Sequence, residues 1–370
     1  MPSSLKEGLL GGAQDDSSGQ GGCPVTGISV PKVFRQHPGG QEHLQLARTN
    51  DGCAGLLFLT YHIGLDMDGI VAKTTQSYGV KVPEQGPLFN ELHEMVQRVR
   101  EEHKVQRRIF QVWCLAITCV FPLLFVWGLN TISLSAAVVE CFIFELYFFN
   151  VFHTRHHKGG SLYDSATLNT LLNPVYDFID NTWGYHPPAW RQNHHVNHHL
   201  HTNDDGVDPD LPASYPIIRM FEAQERRWFH KAQTLYWPLL LPFSVARFPV
   251  SNLLEHGGHP VYFAAWLALM WILPFYLHGI DGVMWTMLVQ GLVGVSITYK
   301  FAISHAHVDN APKQLEPKKS LREMTSDEFV REQIEESTSW GGYCSCFLYG
   351  GINLQIEHHI APALEPPLLA

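Results

Sequence analysis

Three clusters of polar donors carry the chemistry of this chain: His153-Thr-Arg-His156-His157, His195-Val-Asn-His198-His199 and Gln355-Ile-Glu-His358-His359. Imidazole suits iron, copper, nickel and zinc. Residues three or four apart share one face of a helix. His153 with His157, His195 with His198 and His199, and Gln355 with His358 and His359 therefore each present two or three donors together. A lone histidine is more often a core or surface residue than a ligand, but three clusters with ligand spacing point to a multinuclear metal site. Nine of the 22 histidines fall between 153 and 201. Among them His156, His194 and His201 are read as surplus. His305-Ala-His307 directly follows an apolar segment, and His305 is taken as a further ligand in preference to His307. Eight histidines and Gln355 are too many donors for one zinc, which takes about four. Two six-coordinate irons with open positions would use them. Such a pair activates O2 and removes hydrogen from unactivated C–H bonds.

The segments between the clusters must bring them to one place. Ile109 to Gly128 is twenty residues without a charge, enough to cross about 30 Å of hydrocarbon as a helix. Pro122 interrupts it, which a membrane helix tolerates. Ile132 to Phe152 is a second span and carries Glu140 and Glu145; the short turn Leu129 to Thr131 makes the two an antiparallel hairpin. The two carboxylates are left outside the site, since pairing with a neighbouring span is as reasonable as function. Val261 to Leu277 and Val283 to Ser304 form a second hairpin through His278 to Gly282. Leu235 to Ala246 is too short to span, contains Pro238 and Pro242, and reads as interfacial. Lys104, Arg107 and Arg108 precede the first span, Arg155 and Lys158 follow the second, and Lys313, Lys318 and Lys319 follow the fourth, whereas neither short link has a Lys or Arg. The excess of positive charge on cytosolic loops then puts both termini and all three clusters on the cytosolic side. A histidine-rich metal transporter is set aside, because its ligands should line the spans.

Composition agrees with a chain partly dissolved in lipid: 12% aromatic and only 16% charged residues among 370. A net charge of -10 gives no reason to expect nucleic acid as a partner. Seven cysteines show no CxxC pairing and read as free thiols. Residues 1–24 are polar and Gly/Ser-rich, and read as a disordered tail. The charged stretch Glu316 to Glu336 reads as a solvated helical surface. No repeat of fixed period is present.

These residues resemble the membrane fatty acid desaturases with three histidine boxes, HxxxH, HxxHH and QxxHH, here His153–His157, His195–His199 and Gln355–His359. Trp190 before the second box, Thr202-Asn203 and Asp208-Pro209-Asp210 after it, and Gly350 to His359 around the third match as well. Glutamine at the head of the third box is similar to the front-end members fused to cytochrome b5, and Ser304-His305 sits where the family often has Ser-His-Asn. The resemblance covers roughly 105–362. Departures are Thr154 where the first box usually has Asp, Ala361-Pro362 in place of Leu-Phe-Pro, and few residues after His359.

The resemblance implies an all-α integral membrane protein with four transmembrane helices in two hairpins and a cytosolic histidine-rich cap. It implies oxygen-dependent desaturation of a long acyl chain at a diiron site, with His153, His157, His195, His198, His199, His305, Gln355, His358 and His359 around two non-haem irons, and with O2 as cosubstrate. The residues named are metal ligands; no separate acid or base is expected. Hydroxylation of an acyl or sphingolipid chain on the same scaffold is the nearest alternative, and a non-catalytic desaturase-like protein another. The substrate would come from the membrane, the electrons from cytochrome b5 and NADH-cytochrome b5 reductase, and the location would be the endoplasmic reticulum rather than the plastid. His37-Pro38-Gly39-Gly40 resembles the haem motif of cytochrome b5, and His62, 25 residues on, is the candidate second axial ligand. The chain therefore divides into a tail (1–24), a small cytochrome b5-like domain (25–82) short of strands before the motif, a linker and pre-membrane helix (83–104) and the desaturase domain (105–370). If the b5-like region works, the purified protein has a haem b absorbance that His37→Ala removes. A parent without that spectrum would need a separate electron donor.

Overall fold

The computed structural model describes residues 54–65, 82–204, 207–210, 214–222, 224–245, 249–250, 260–306, 319–321 and 323–370. The expected tail, His37 with its Pro-Gly-Gly, His307 and much of the 25–82 region lie outside the described residues. Helix α1 (Ala54–His62) is followed by α2 (Pro87–Glu102) and then by α3 (Lys104–Thr131), the first span. Its C-cap, Ile132, sits in the left-handed region, and Ser133 caps the next helix by accepting from the Ala136 amide. The hairpin turn is therefore Ile132-Ser133 rather than Leu129 to Thr131, and the second span, α4 (Leu134–His157), begins two residues later than expected. It also runs on past Phe152 and carries the first cluster on its own end. Helix α5 (Ala166–Thr182), the short α6 (Pro187–Arg191) and α7 (Gln233–Leu240) precede α8 (Pro260–His278) and α9 (Ile280–His305), the third and fourth spans. The chain then forms α10 (Ser326–Glu336), α11 (Tyr343–Tyr349) and α12 (Gln355–Ile360). No strand occurs among the described residues; Ser339 and Leu354 make one isolated bridge.

Among the described residues, four helices are thus long and apolar enough to cross a membrane. Val112, Leu123, Val138, Phe275, Tyr276 and Ile280 are exposed along them, as a hydrocarbon solvent requires. Lipid offers no hydrophobic drive for helices to associate, so contact must come from packing and polar pairs. Both are present. Phe121 stacks on Tyr147 at 4.9 Å and Phe148 on Phe152 at 5.1 Å, around the enclosed second span. Gly282 lets α8 and α9 meet, because a Cβ there would lie 2.1 Å from the Pro274 carbonyl oxygen. His278 donates from Nε2 to the Leu129 carbonyl at 2.8 Å and ties the turn ends of the two hairpins. Near the other end Lys300 of α9 reaches Glu145 of α4 at 2.7 Å, and its ammonium lies 4.9 Å from the centre of the Tyr349 ring. Helix α7, within the segment read as interfacial, leaves Leu235 and Leu239 exposed.

A second core lies above the spans. Leu56, Leu57, Leu59 and Ile63 of the α1 segment are buried with Phe89 and Val96 of α2, Val196 and Leu200 of the second cluster, Phe329 of α10 and Leu368. Full burial of a Leu or Ile stabilises by about 1.5–3 kcal/mol, so α1 is firmly held. Asp327 of α10 accepts from the Leu88 and Phe89 amides at 3.2 and 2.9 Å and so caps α2 from a distant part of the sequence. The cysteines seen, including exposed Cys344 and buried Cys346, are free. Removing one member of a buried ion pair strands the other charge and is worth about 3–5 kcal/mol, whereas replacing both by apolar groups is often neutral. Lys300→Met should therefore lower the unfolding temperature in detergent sharply, and Glu145→Met with Lys300→Met should recover most of it. Equal melting of the single variant and the parent would remove the pair from the account of span association.

Candidate metal centre

The second cluster is carried on a π-turn and the first begins at the end of one, a winding that is rare and wider than α-helix. The backbone is π-helical from Tyr147 to His153 at the end of the second span, and from Gln192 to His198 after α6. The third cluster lies on α12. Its approach depends on Gly350, whose φ of 55° is left-handed and where a Cβ would sit 2.3 Å from the Phe149 carbonyl. His305 is the last residue of α9. The ends of α4 and α9 thus supply donors from the membrane side, and the π-turn after α6 and α12 supply them from the cap.

Among the described residues the donors form two all-histidine groups, bridged by a third set of His194, His198 and Asp210. Ligand atoms of His153, His157, His194 and His358 all lie within 4.8 Å of one another, as do those of His198, His305 and His359. All are buried. The Nε2 atoms of His153 and His194 are 2.9 Å apart, and those of His199 and His194 are 3.3 Å apart. Gln355 places its amide Nε2 2.7 Å from His305 Nε2 and 3.0 Å from His359 Nε2. A half-turn of that amide would direct its oxygen at the same two imidazoles. His157 Nε2, His198 Nε2, His358 Nε2 and Gln355 Oε1 are buried with no hydrogen-bond partner. Buried polar atoms normally have partners, so inward-facing donors without them fit a pair of transition-metal ions.

Outer nitrogens are held in place. His198 Nδ1 donates to Asp208 at 3.1 Å, and Asp208 is itself fixed by the Asn203 and Asp210 amides at 2.8 and 2.9 Å. His359 Nδ1 donates to Gln333 Oε1 at 2.7 Å, and His305 Nδ1 donates to the Glu336 carbonyl at 3.3 Å. His157 Nδ1 lies 2.9 Å from the Tyr61 hydroxyl. Burial, reinforced by neighbouring imidazoles, holds His194, His199, His358 and His359 well below the usual histidine range, so they are neutral donors. Burial also acts against a charged His198, but Asp208 and Asp210 outweigh it and push that group up to about 9. Burial acts against the Asp208 charge as well, yet His198 and the amide hydrogen bonds hold it below the carboxylate range.

The expected donors therefore gather as follows. His153, His157 and His358 form one group and His198, His305 and His359 the other, with Gln355 beside the second. His199 lies among them, its ring stacked 4.2 Å from that of His359. His195 is buried and stacks on His157 at 4.4 Å, but belongs to neither group. His194, read as surplus, takes a place in the first. The π-turn explains the exchange: it bonds His199 N to His194 O at 3.0 Å and so sets residues five apart beside each other. His156 is engaged by Asp180 at 3.2 Å and Arg191 at 3.1 Å. His201 pairs with Asp204 at 3.0 Å. His62 ends α1, with Nδ1 bonded to the Phe58 carbonyl at 2.8 Å. Gln333 and Glu336 lie in the stretch read as a solvated surface, yet face the site. Their signal was the spacing Phe329, Val330, Gln333, Glu336, one face of α10, and all four are buried.

A family description, fatty acid desaturase, matches residues 133–370. The chain is 26% identical to an acyl-lipid (7-3)-desaturase, chloroplastic, of Chlamydomonas reinhardtii, over 89% of this chain and 69% of that protein. It is 24% identical to a probable Delta(5) fatty acid desaturase C of Dictyostelium discoideum, over 91% and 80% of the two chains. It is also 24% identical to an sn-1 linoleoyl-lipid 6-desaturase of Synechocystis sp., over 73% and 78%. No solved structure matches. A match over most of the chain, including all three histidine clusters and the helix that ends in His305, makes this protein a member of the fatty acid desaturase family.

Proposed function

We propose that the chain is an oxygen-dependent acyl-lipid desaturase of front-end type, working with two non-haem irons. The observation that carries this reading is the pair of buried histidine groups at the shared end of the second and fourth spans. His153, His157, His194 and His358 would hold one iron, and His198, His305 and His359, with Gln355 alongside, the other. His199, between the groups, and His195, stacked on His157, complete the donor set. Bound there, the irons supply the oxidising power of O2 for an unactivated C–H bond. Two hydrogens leave adjacent methylenes of the acyl chain, two electrons come from the donor and two protons from solvent, and O2 leaves as two waters.

The protein's own part is to aim and to exclude. Asp208, Gln333 and the Glu336 carbonyl keep three imidazoles turned with Nε2 inward. Trp190 stacks on His194 at 4.4 Å and meets Phe152 at 4.9 Å, closing one side of the site with aromatic surface. The names of the relatives support an acyl-lipid substrate, and Gln355 supports the front-end type. The lysines and arginines flanking the spans support a cytosolic site; cytochrome b5 as donor and the endoplasmic reticulum as location follow from the resemblance to the front-end members. His37 and His62 remain the candidate haem ligands if the donor is internal.

Expression in a host without polyunsaturated lipids, followed by lipid mass spectrometry and iron analysis, tests this. The parent should carry about two irons and form a new double bond, and His198→Ala with His199→Ala should abolish both. Full activity in that variant would overturn the diiron assignment. Gln355→His should keep its iron, because imidazole coordinates from nearly the same place, whereas Gln355→Leu should insert normally and lose activity. A leucine variant equal to the parent in iron and product would leave Gln355 with no metal role.

A further inference from the structure

We infer that Tyr61 of α1 is a positioning residue of the metal centre, holding His157 in the tautomer that turns Nε2 toward the first histidine group. The inference rests on the two-metal reading above. It starts from the two nitrogens of His157. Nδ1 is 2.9 Å from the Tyr61 hydroxyl, whereas Nε2 is buried with no hydrogen-bond partner. An imidazole that gives Nε2 to a metal must carry its proton on Nδ1 and needs an acceptor there. The Tyr61 hydroxyl oxygen, within hydrogen-bond distance of Nδ1, can accept that proton.

Three other imidazoles follow the same pattern, with Asp208 behind His198, Gln333 behind His359 and the Glu336 carbonyl behind His305. All of those partners lie within the family match, residues 133–370, and Tyr61 lies upstream of it. The site is thus completed by a segment from outside the matched region. The phenol ring also covers the group from above, 6.1 Å from the His157 ring and 5.5 Å from His195. Tyr61 does not need its hydroxyl to stay in place. Leu56, Leu57, Leu59 and Ile63 anchor α1 in the cap core with Val196 and Leu200, so removing one oxygen leaves the helix docked.

The experiment is a Co2+ titration of the metal-stripped full-length protein in detergent, followed by visible absorption. The parent should take up two ions. Tyr61→Phe should bind one of them about 10- to 100-fold more weakly, with a changed ligand-field band, while keeping the parent's thermal unfolding. Thr60→Val serves as the control, because the Thr60 hydroxyl bonds only back to the Leu56 carbonyl of its own helix, at 2.6 Å; it should titrate as the parent does. Parent-like binding by Tyr61→Phe would overturn the inference and leave the two-metal reading standing. Equal weakening by Thr60→Val would also overturn it, reducing α1 to a packing role. A parent that takes up no Co2+ would sink the two-metal reading and this inference together.

Discussion

Imidazole nitrogens buried against one another are the constraint around which the molecule is arranged. Neutral nitrogens about 3 Å apart have nothing to offer each other unless a cation lies among them or a proton lies between them. The protein resolves this by giving the rings two sides. Inward nitrogens converge on two points, and outward nitrogens are tied to acceptors elsewhere in the chain. The acidic partners of His198 keep its second proton close, and burial, reinforced by the crowd of neighbours, keeps His194, His199, His358 and His359 unprotonated.

That arrangement needs rigid supports at two levels. Below, α4 and α9 must end side by side, and the Glu145–Lys300 pair joins them two turns or so beneath the donors they carry. Above, the cap must deliver the second and third clusters at the same height. Gly350 allows the loop before α12 to lie against the Phe149 carbonyl, and Asp327 locks α2 to α10. Each support joins residues far apart in sequence, so the site forms only when membrane hairpins and cap are both folded.

Spans and clusters were legible because their signals are strong and local: a charge-free run long enough to cross a bilayer, and histidines at helical spacing. The common side followed from lysines and arginines at the span ends. What failed to show had a physical cause in each instance. Lys300 sat inside an apolar run, where only its partner across the helix pair explains it. Gln333 and Glu336 were hidden among charged neighbours, because the face of α10 that they share matters only once α12 is packed on it. Tyr61 had no signal at all, since a single phenol gains meaning only from what stands beside it.

Helical period also decided which histidines meet. At 3.6 residues per turn His195 pairs with His198 and His199; in the wider coil it is His194 that joins them. The run from 194 to 199 therefore holds imidazoles for two different windings of the same backbone. Removing one residue ahead of it would swing every later side chain by about 100°. Substitution by size and polarity alone cannot mimic such a change, so the tolerance of this segment to length is a different matter from its tolerance to composition.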